Sequence, residues 1–143
     1  MAILDYDDEL STAGGQAITA AAICGRVKDG GGARDWAAGE PVFPFMRVTG
    51  TAAFNPTTSA TVEILAADDA LLTENPVVLS TKSILAAALG ANTLHPLPAL
   101  LPGFKKRYLG AKVTPVGGDA TTGKVIVGFI EQSARSANVV STL

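Results

Sequence analysis

Apolar residues recur along the chain in short runs, and turn residues separate them. Ala60 to Ala66 gives the clearest pattern: Val62 and Ile64 face one way and Thr61 and Glu63 the other. That period of two predicts a half-buried strand. Gln16 to Ile23 is a run of small and β-branched residues, set off by Gly14-Gly15 and by Gly25. Pro41 to Thr49 has aromatic and β-branched character, but Pro44 removes a ladder donor and suggests an edge strand or a bulge. Val77 to Thr81 follows the turn signal Asn75-Pro76, and Asn92 to Leu97 is short and bounded by proline. Lys105 to Val113 alternates Lys106, Tyr108 and Lys112 against Arg107, Leu109 and Val113. Lys124 to Gln132 is apolar on both faces, which predicts a strand covered on both sides or lying at an interface.

The breaks carry turn chemistry at Asp29-Gly30, Asn55-Pro56, Asn75-Pro76, Pro102-Gly103 and Gly117-Gly118. Helix signals are poor. Ile84 to Leu89 reads as a short helical turn or a small-residue strand, and Asp68 to Leu72 as one turn in a connection. No longer stretch keeps a helical period without a glycine or proline. Seven or eight short strands with turns between them predict an all-β chain, a jelly-roll-like antiparallel β-sandwich. The expected organisation is a short N-terminal arm, residues 1–15, and a single sandwich domain, residues 16–143.

Composition narrows this picture. The chain has 143 residues, 48% hydrophobic and 17% charged, which excludes intrinsic disorder and fits one domain. Aromatics are only 6%, so the core must be aliphatic. The net charge of −2 points to neither nucleic acid nor an anionic membrane as partner. The charge is uneven, however: residues 1–74 carry −7 and residues 105–143 carry +4. Those halves could pair within one subunit, between copies or with a partner surface. The start MAILDYDDEL lacks a basic region and an apolar run, so synthesis as a soluble, cytosolic chain is expected.

Candidate chemistry is sparse. His95, the only histidine, sits among leucines and prolines, and a histidine metal site needs several. Cys24 is the only cysteine, which excludes an internal disulfide; it reads as a small buried hydrophobe. Gly30-Gly31-Gly32 lacks the lysine and helix of a phosphate loop and reads as a flexible loop. Asp7-Asp8 and Asp68-Asp69 read as solvated pairs. No nucleophile motif is present, so neither catalysis nor a cofactor or metal is expected. Lys105, Lys106, Arg107 and Tyr108 form the one basic cluster with an aromatic neighbour. Its alternation across a strand favours a solvated or protein-contacting face over a nucleic-acid patch.

Several motifs carry a resemblance. These are Leu4-Asp5-Tyr6-Asp7-Asp8-Glu9-Leu10-Ser11 with Gln16-Ala17-Ile18-Thr19 after it, and Ala33-Arg34-Asp35-Trp36-Ala37-Ala38-Gly39-Glu40-Pro41 with an A-R-D-x-x-x-G-E-P pattern. Ala60 to Ile64, Arg107-Tyr108-Leu109 and Gly123-Lys124-Val125 follow. With these the chain resembles the small jelly-roll capsid cement, or decoration, proteins of tailed bacteriophages, typified by that of a short-tailed Bordetella phage. The resemblance implies a non-enzymatic virion protein on the outer surface of an icosahedral capsid, where it bridges major capsid subunits. A carbohydrate-binding β-sandwich module is the alternative; it needs exposed aromatics, for which Trp36, Tyr6 and Tyr108 are the candidates.

Two interfaces are expected on this reading. Asp5, Asp7, Asp8 and Glu9 cannot be buried unpaired, so the arm is expected in water or against basic side chains of the major capsid protein. Tyr6 and Leu10 would anchor it in a groove, with Gly14-Gly15 as its hinge. Deleting residues 2–10 is then expected to leave the fold intact. Val125, Val127 and Phe129, on the strand with two apolar faces, are the candidate surface for self-association, a dimer before a trimer.

Overall fold

The computed structural model describes residues 10, 15–38, 41–50 and 52–130. Eight strands run through them: β1 Ala22–Ile23, β2 Lys28–Asp35, β3 Phe43–Val48, β4 Ser59–Ala67, β5 Val77–Leu85, β6 Leu94–Pro96, β7 Lys105–Val116 and β8 Val125–Ile130. The only helical piece among them is one 3₁₀ turn, Ala86–Ala88, so the Ile84–Leu89 run splits between the end of β5 and that turn.

Two antiparallel sheets make the sandwich. One has the order β1-β7-β4-β5, with β2 also paired to β7; the other has the order β6-β3-β8. Gln16 adds a bridge to Val125 on the free side of β8. β1 and β2 occupy successive stretches of the same β7 edge, at Val113-Lys112 and at Leu109 to Lys105, so they are one interrupted strand. Counting Gln16 first and β1–β2 second gives eight positions. Position one pairs with eight, two with seven, three with six and four with five. The chain is therefore a long hairpin rolled so that β3 also meets β8 and β4 also meets β7, which is the jelly roll.

Alternation decides the core. Ala60, Val62 and Ile64 of β4, Leu109, Ala111 and Val113 of β7, and Met46 and Val48 of β3 are fully buried between the sheets. The same alternation keeps Ala66 in the core and turns Leu65 and Ala67 outward, where they pack with Leu72, Ile23, Val27 and Tyr108 in a second, smaller cluster.

Four expectations change. Pro44 lies on β3, a strand between two others, and not on an edge. Its carbonyl accepts from Leu97 N at 2.9 Å. N–H and C=O of one strand residue leave on the same side, so the missing donor faces the end of β6 and spares the β8 ladder. Gly30-Gly31-Gly32 is no free loop: it lies in β2, where the register slips between Asp29 and Arg34. Gly31 has φ +78° and donates its N–H to Asp29 Oδ1 at 2.8 Å, a bulge that glycine accommodates.

The other two concern the proposed interfaces. Val125, Val127 and Phe129 have no exposed surface and belong to the core of one subunit, so they cannot serve as a surface for a second copy. The two apolar faces of β8 have a simpler cause: one fills the core, and on the other Gly128 is buried and Ile126 half-buried. Leu10 is likewise fully buried in the core. Its N–H donates to Val127 O at 2.8 Å and its carbonyl accepts from Arg26 N at 3.1 Å. The sandwich thus already includes Leu10, and a deletion of residues 2–10 removes a core side chain. Asp5, Tyr6, Asp7, Asp8 and Glu9 lie outside the described residues, as does Gly14 of the expected hinge.

Candidate partner-binding surface

β7 starts with the basic cluster, and the sheet answers it with acids from the first half of the chain. Asp29 on β2 accepts from Arg107 through both oxygens, Nε to Oδ1 at 2.8 Å and Nη2 to Oδ2 at 3.0 Å. Such forked pairing fixes the planar guanidinium. That guanidinium also lies 5.1 Å from the centre of the Tyr108 ring. Lys106 Nζ reaches Asp68 Oδ2 at 3.4 Å. Lys105 stands in register opposite Asp35, and Lys112 opposite Glu63. Two of the sequence's open options are thereby decided in part: acidic and basic halves meet inside one subunit, and Lys106 and Arg107 already have carboxylate partners.

The Arg107 fork holds the Asp29 carboxyl at about 2, with the Gly31 N–H adding to it. The folded value is depressed, so the pair is intact above the ordinary carboxylate range and is lost only as pH falls towards 2. An NMR titration of the Asp29 carboxyl should give a midpoint near 2. In Arg107→Ala that midpoint should move back towards the ordinary 3.8, though not all the way, because the Gly31 bond remains. A midpoint that does not move would assign the shift to the bulge alone.

At the same end of the sheet, the β4–β5 connection keeps Asp68 and Asp69 at the surface, as expected, and uses them to tie the loop together. Asp69 accepts from Thr73 N at 2.7 Å, Thr73 Oγ1 at 2.7 Å and Glu74 N at 2.8 Å. Asp68 accepts from Asn75 Nδ2 at 3.0 Å. Leu72, at φ +58°, turns inward and is 4% exposed. It sits over Gly110, where an added Cβ would stand 2.6 Å from Leu72 Cδ1, so any larger residue there would have to push the Leu72 side chain aside. Leu71 beside it is 74% exposed at the loop's tip. Asp29 and Asp69 escape sequence reasoning for different reasons. Asp29 meets Arg107 across 78 residues, a separation with no local signal. Asp69 has a local one, because a carboxylate ahead of Thr73-Glu74-Asn75-Pro76 can bond the following backbone.

The remaining candidates are structural. Cys24 is buried, and burial pushes its thiol up to about 12, so it is neutral and unreactive at neutral pH. His95 is half-buried, with Nε2 2.9 Å from Thr93 Oγ1; burial, and then the charge of Lys82, hold its pKa below the usual histidine range. Trp36 is 2% exposed and donates Nε1–H to Lys106 O at 3.0 Å, so it offers no open face to a sugar. Tyr108 is half-buried beneath Arg107. Among the described residues no group of three or more His, Cys, Asp or Glu is placed to hold a metal ion, and no helix is long and apolar enough to cross a membrane.

No curated protein matches the chain. A protein-family model, Bbp16, matches residues 12–129, which span the sandwich from just after Leu10 to the penultimate residue of β8. With that match over most of its length, the chain belongs to the Bbp16 family.

Proposed function

We propose that this protein is a structural virion protein, a capsid cement protein that binds the outer surface of an icosahedral phage capsid and bridges its major capsid subunits. The observation that carries the reading is membership of the Bbp16 family, whose name points to a Bordetella phage, in a chain folded as a jelly roll. The motifs that resemble phage cement proteins, from Leu4 to Ser11 and from Ala33 to Pro41, support it. On this reading the protein acts without catalysis or cofactor, is made in the host cytoplasm and ends on the virion. Modest contacts suffice, because many copies each hold several subunits.

The acidic segment Asp5 to Glu9, with Tyr6 as an apolar anchor, is the part we assign to the major capsid protein. Leu10 supports the assignment mechanically, since its burial ties that segment directly to the rigid body. The start of β7, Lys105 to Tyr108, is the second assigned contact. Self-association, as a dimer before a trimer, then uses surfaces other than Val125, Val127 and Phe129.

Co-sedimentation with capsids tests the reading. The full chain should pellet with capsids in stoichiometric amounts. A variant lacking residues 2–9, which keeps Leu10, should fold normally and bind on the order of tenfold more weakly per contact, about 1.4 kcal/mol. Binding should also weaken towards 1 M salt, where the screening length falls to about 3 Å. Equal decoration by the shortened chain would remove the arm from the account, and a full chain that never pellets with capsids would remove the cement reading itself.

A further inference from the structure

Four of the large exposed apolar side chains share one end of the sandwich: Leu71 at 74%, Val78 at 38%, Leu101 at 53% and Phe104 at 41%. That is the end where β4 finishes and β5 and β7 begin. Leu101 donates its N–H to Leu79 O at 3.0 Å, which seats it beside Val78. Between them opens a shallow cleft of about 200 Å³, lined by Val78, Leu79, Thr81, Pro98 and Leu101 among others. Val78 and Leu101 line this cleft, and Leu71 and Phe104 lie at the same end of the sandwich; isolated exposed leucines need no explanation, but such a gathering marks a docking surface.

We propose that the occupant is the chain's own C-terminal segment, residues 131–143, which lays Val139, Val140 and Leu143 against this surface. Three observations select it. The first is position. Ile130 pairs with Phe43, and the neighbouring Val42 accepts from Leu100 N, so the chain leaves β8 about two strand spacings, or about 10 Å, from Leu101. The second is reach: the 13 residues that follow can extend about 40 Å. The third is charge. The loop beside the cleft carries Asp68, Asp69 and Glu74, of which Asp68 is answered by Lys106 among the described ion pairs. The acidic segment Asp5 to Glu9, with four carboxylates and no base, is repelled there, whereas Glu131 and Arg135 of residues 131–143 balance each other, so that segment brings its apolar residues without such repulsion.

A nitroxide on Val140→Cys tests this in the full-length protein. The native Cys24 is buried and its thiol un-ionised, so the label goes to position 140. We expect loss of most of the methyl NMR signal of Leu71, Val78 and Leu101, with methyls at the far end, such as Leu85 and Leu94, spared. Leu101→Asp, a change at an exposed site that leaves the core untouched, should restore the Leu71 and Val78 signals. A second sample mixes isotope-labelled protein without nitroxide and nitroxide-labelled protein without isotope. It should show no broadening. Broadening in that mixture would give the surface to a second copy, and no broadening at this end in either sample would leave it to a foreign partner; both results overturn the proposal.

Discussion

Replacing Leu10 by alanine will destabilise the fold by about 2–5 kcal/mol, the range for removing a fully buried leucine side chain. Leu10 has no exposed surface and packs in the main core with β8 residues such as Val127 and Phe129. Its backbone bonds to Val127 and Arg26 survive the substitution, so the loss isolates the side chain. Urea denaturation measures it directly as a lower midpoint at similar slope. If Leu10 were instead an anchor in a capsid groove, Leu10→Ala would unfold at the parent midpoint and show its defect only on capsids. The distinction matters for any truncation: a cut after residue 9 probes the partner contact, whereas a cut after residue 10 also removes part of the core.

Phe129→Ala will lose about 3–5 kcal/mol for the same kind of reason, with a larger side chain removed. Phe129 is fully buried and stands opposite Pro44, so the cavity would open inside the sandwich between β3 and its neighbours. Monomeric protein should show the full effect at any dilution. An interface role would instead make the loss depend on concentration, because subunit association stabilises by mass action. Denaturation curves that separate on dilution in the parent but coincide in Phe129→Ala would therefore return this residue to the self-association surface.

The sequence was most legible where alternation met a single core. β4 reads correctly residue by residue as far as Ile64, and β7 was found with the right inward face, Leu109 and Val113. The reading failed where long-range pairing replaces local signal. β2 holds three consecutive glycines and only Arg34 beyond them looks unlike a loop, yet β7 supplies a ladder that draws it into the sheet. Pro44 marks an edge by rule, but the rule concerns the direction of one missing donor, and direction depends on where β6 stops. The two apolar faces of β8 are plain in the sequence and admit two explanations; only the packing of both faces chooses between them. Among site residues, Lys106 and Arg107 were visible as charges, while the acids that hold them sit 38 and 78 residues away. Leu71 reads in the sequence only as part of a turn, because nothing local distinguishes it from Leu72, its inward neighbour.

The rolled hairpin also sets what can be done to the chain's ends. Because its first strand position pairs with its last, Leu10 is bonded to Val127, three residues before the last described position, Ile130. The two ends therefore emerge within roughly 10 Å of each other. Neighbouring termini are the condition for circular permutation. Residues 1–9 and 131–143 supply ample chain to join them, and the exposed Ala91, in the turn before β6, offers a place for new ends. The same geometry means that cargo attached beyond Leu10 or beyond Ile130 would leave the sandwich from one site, whereas cargo at Ala91 would leave it from another.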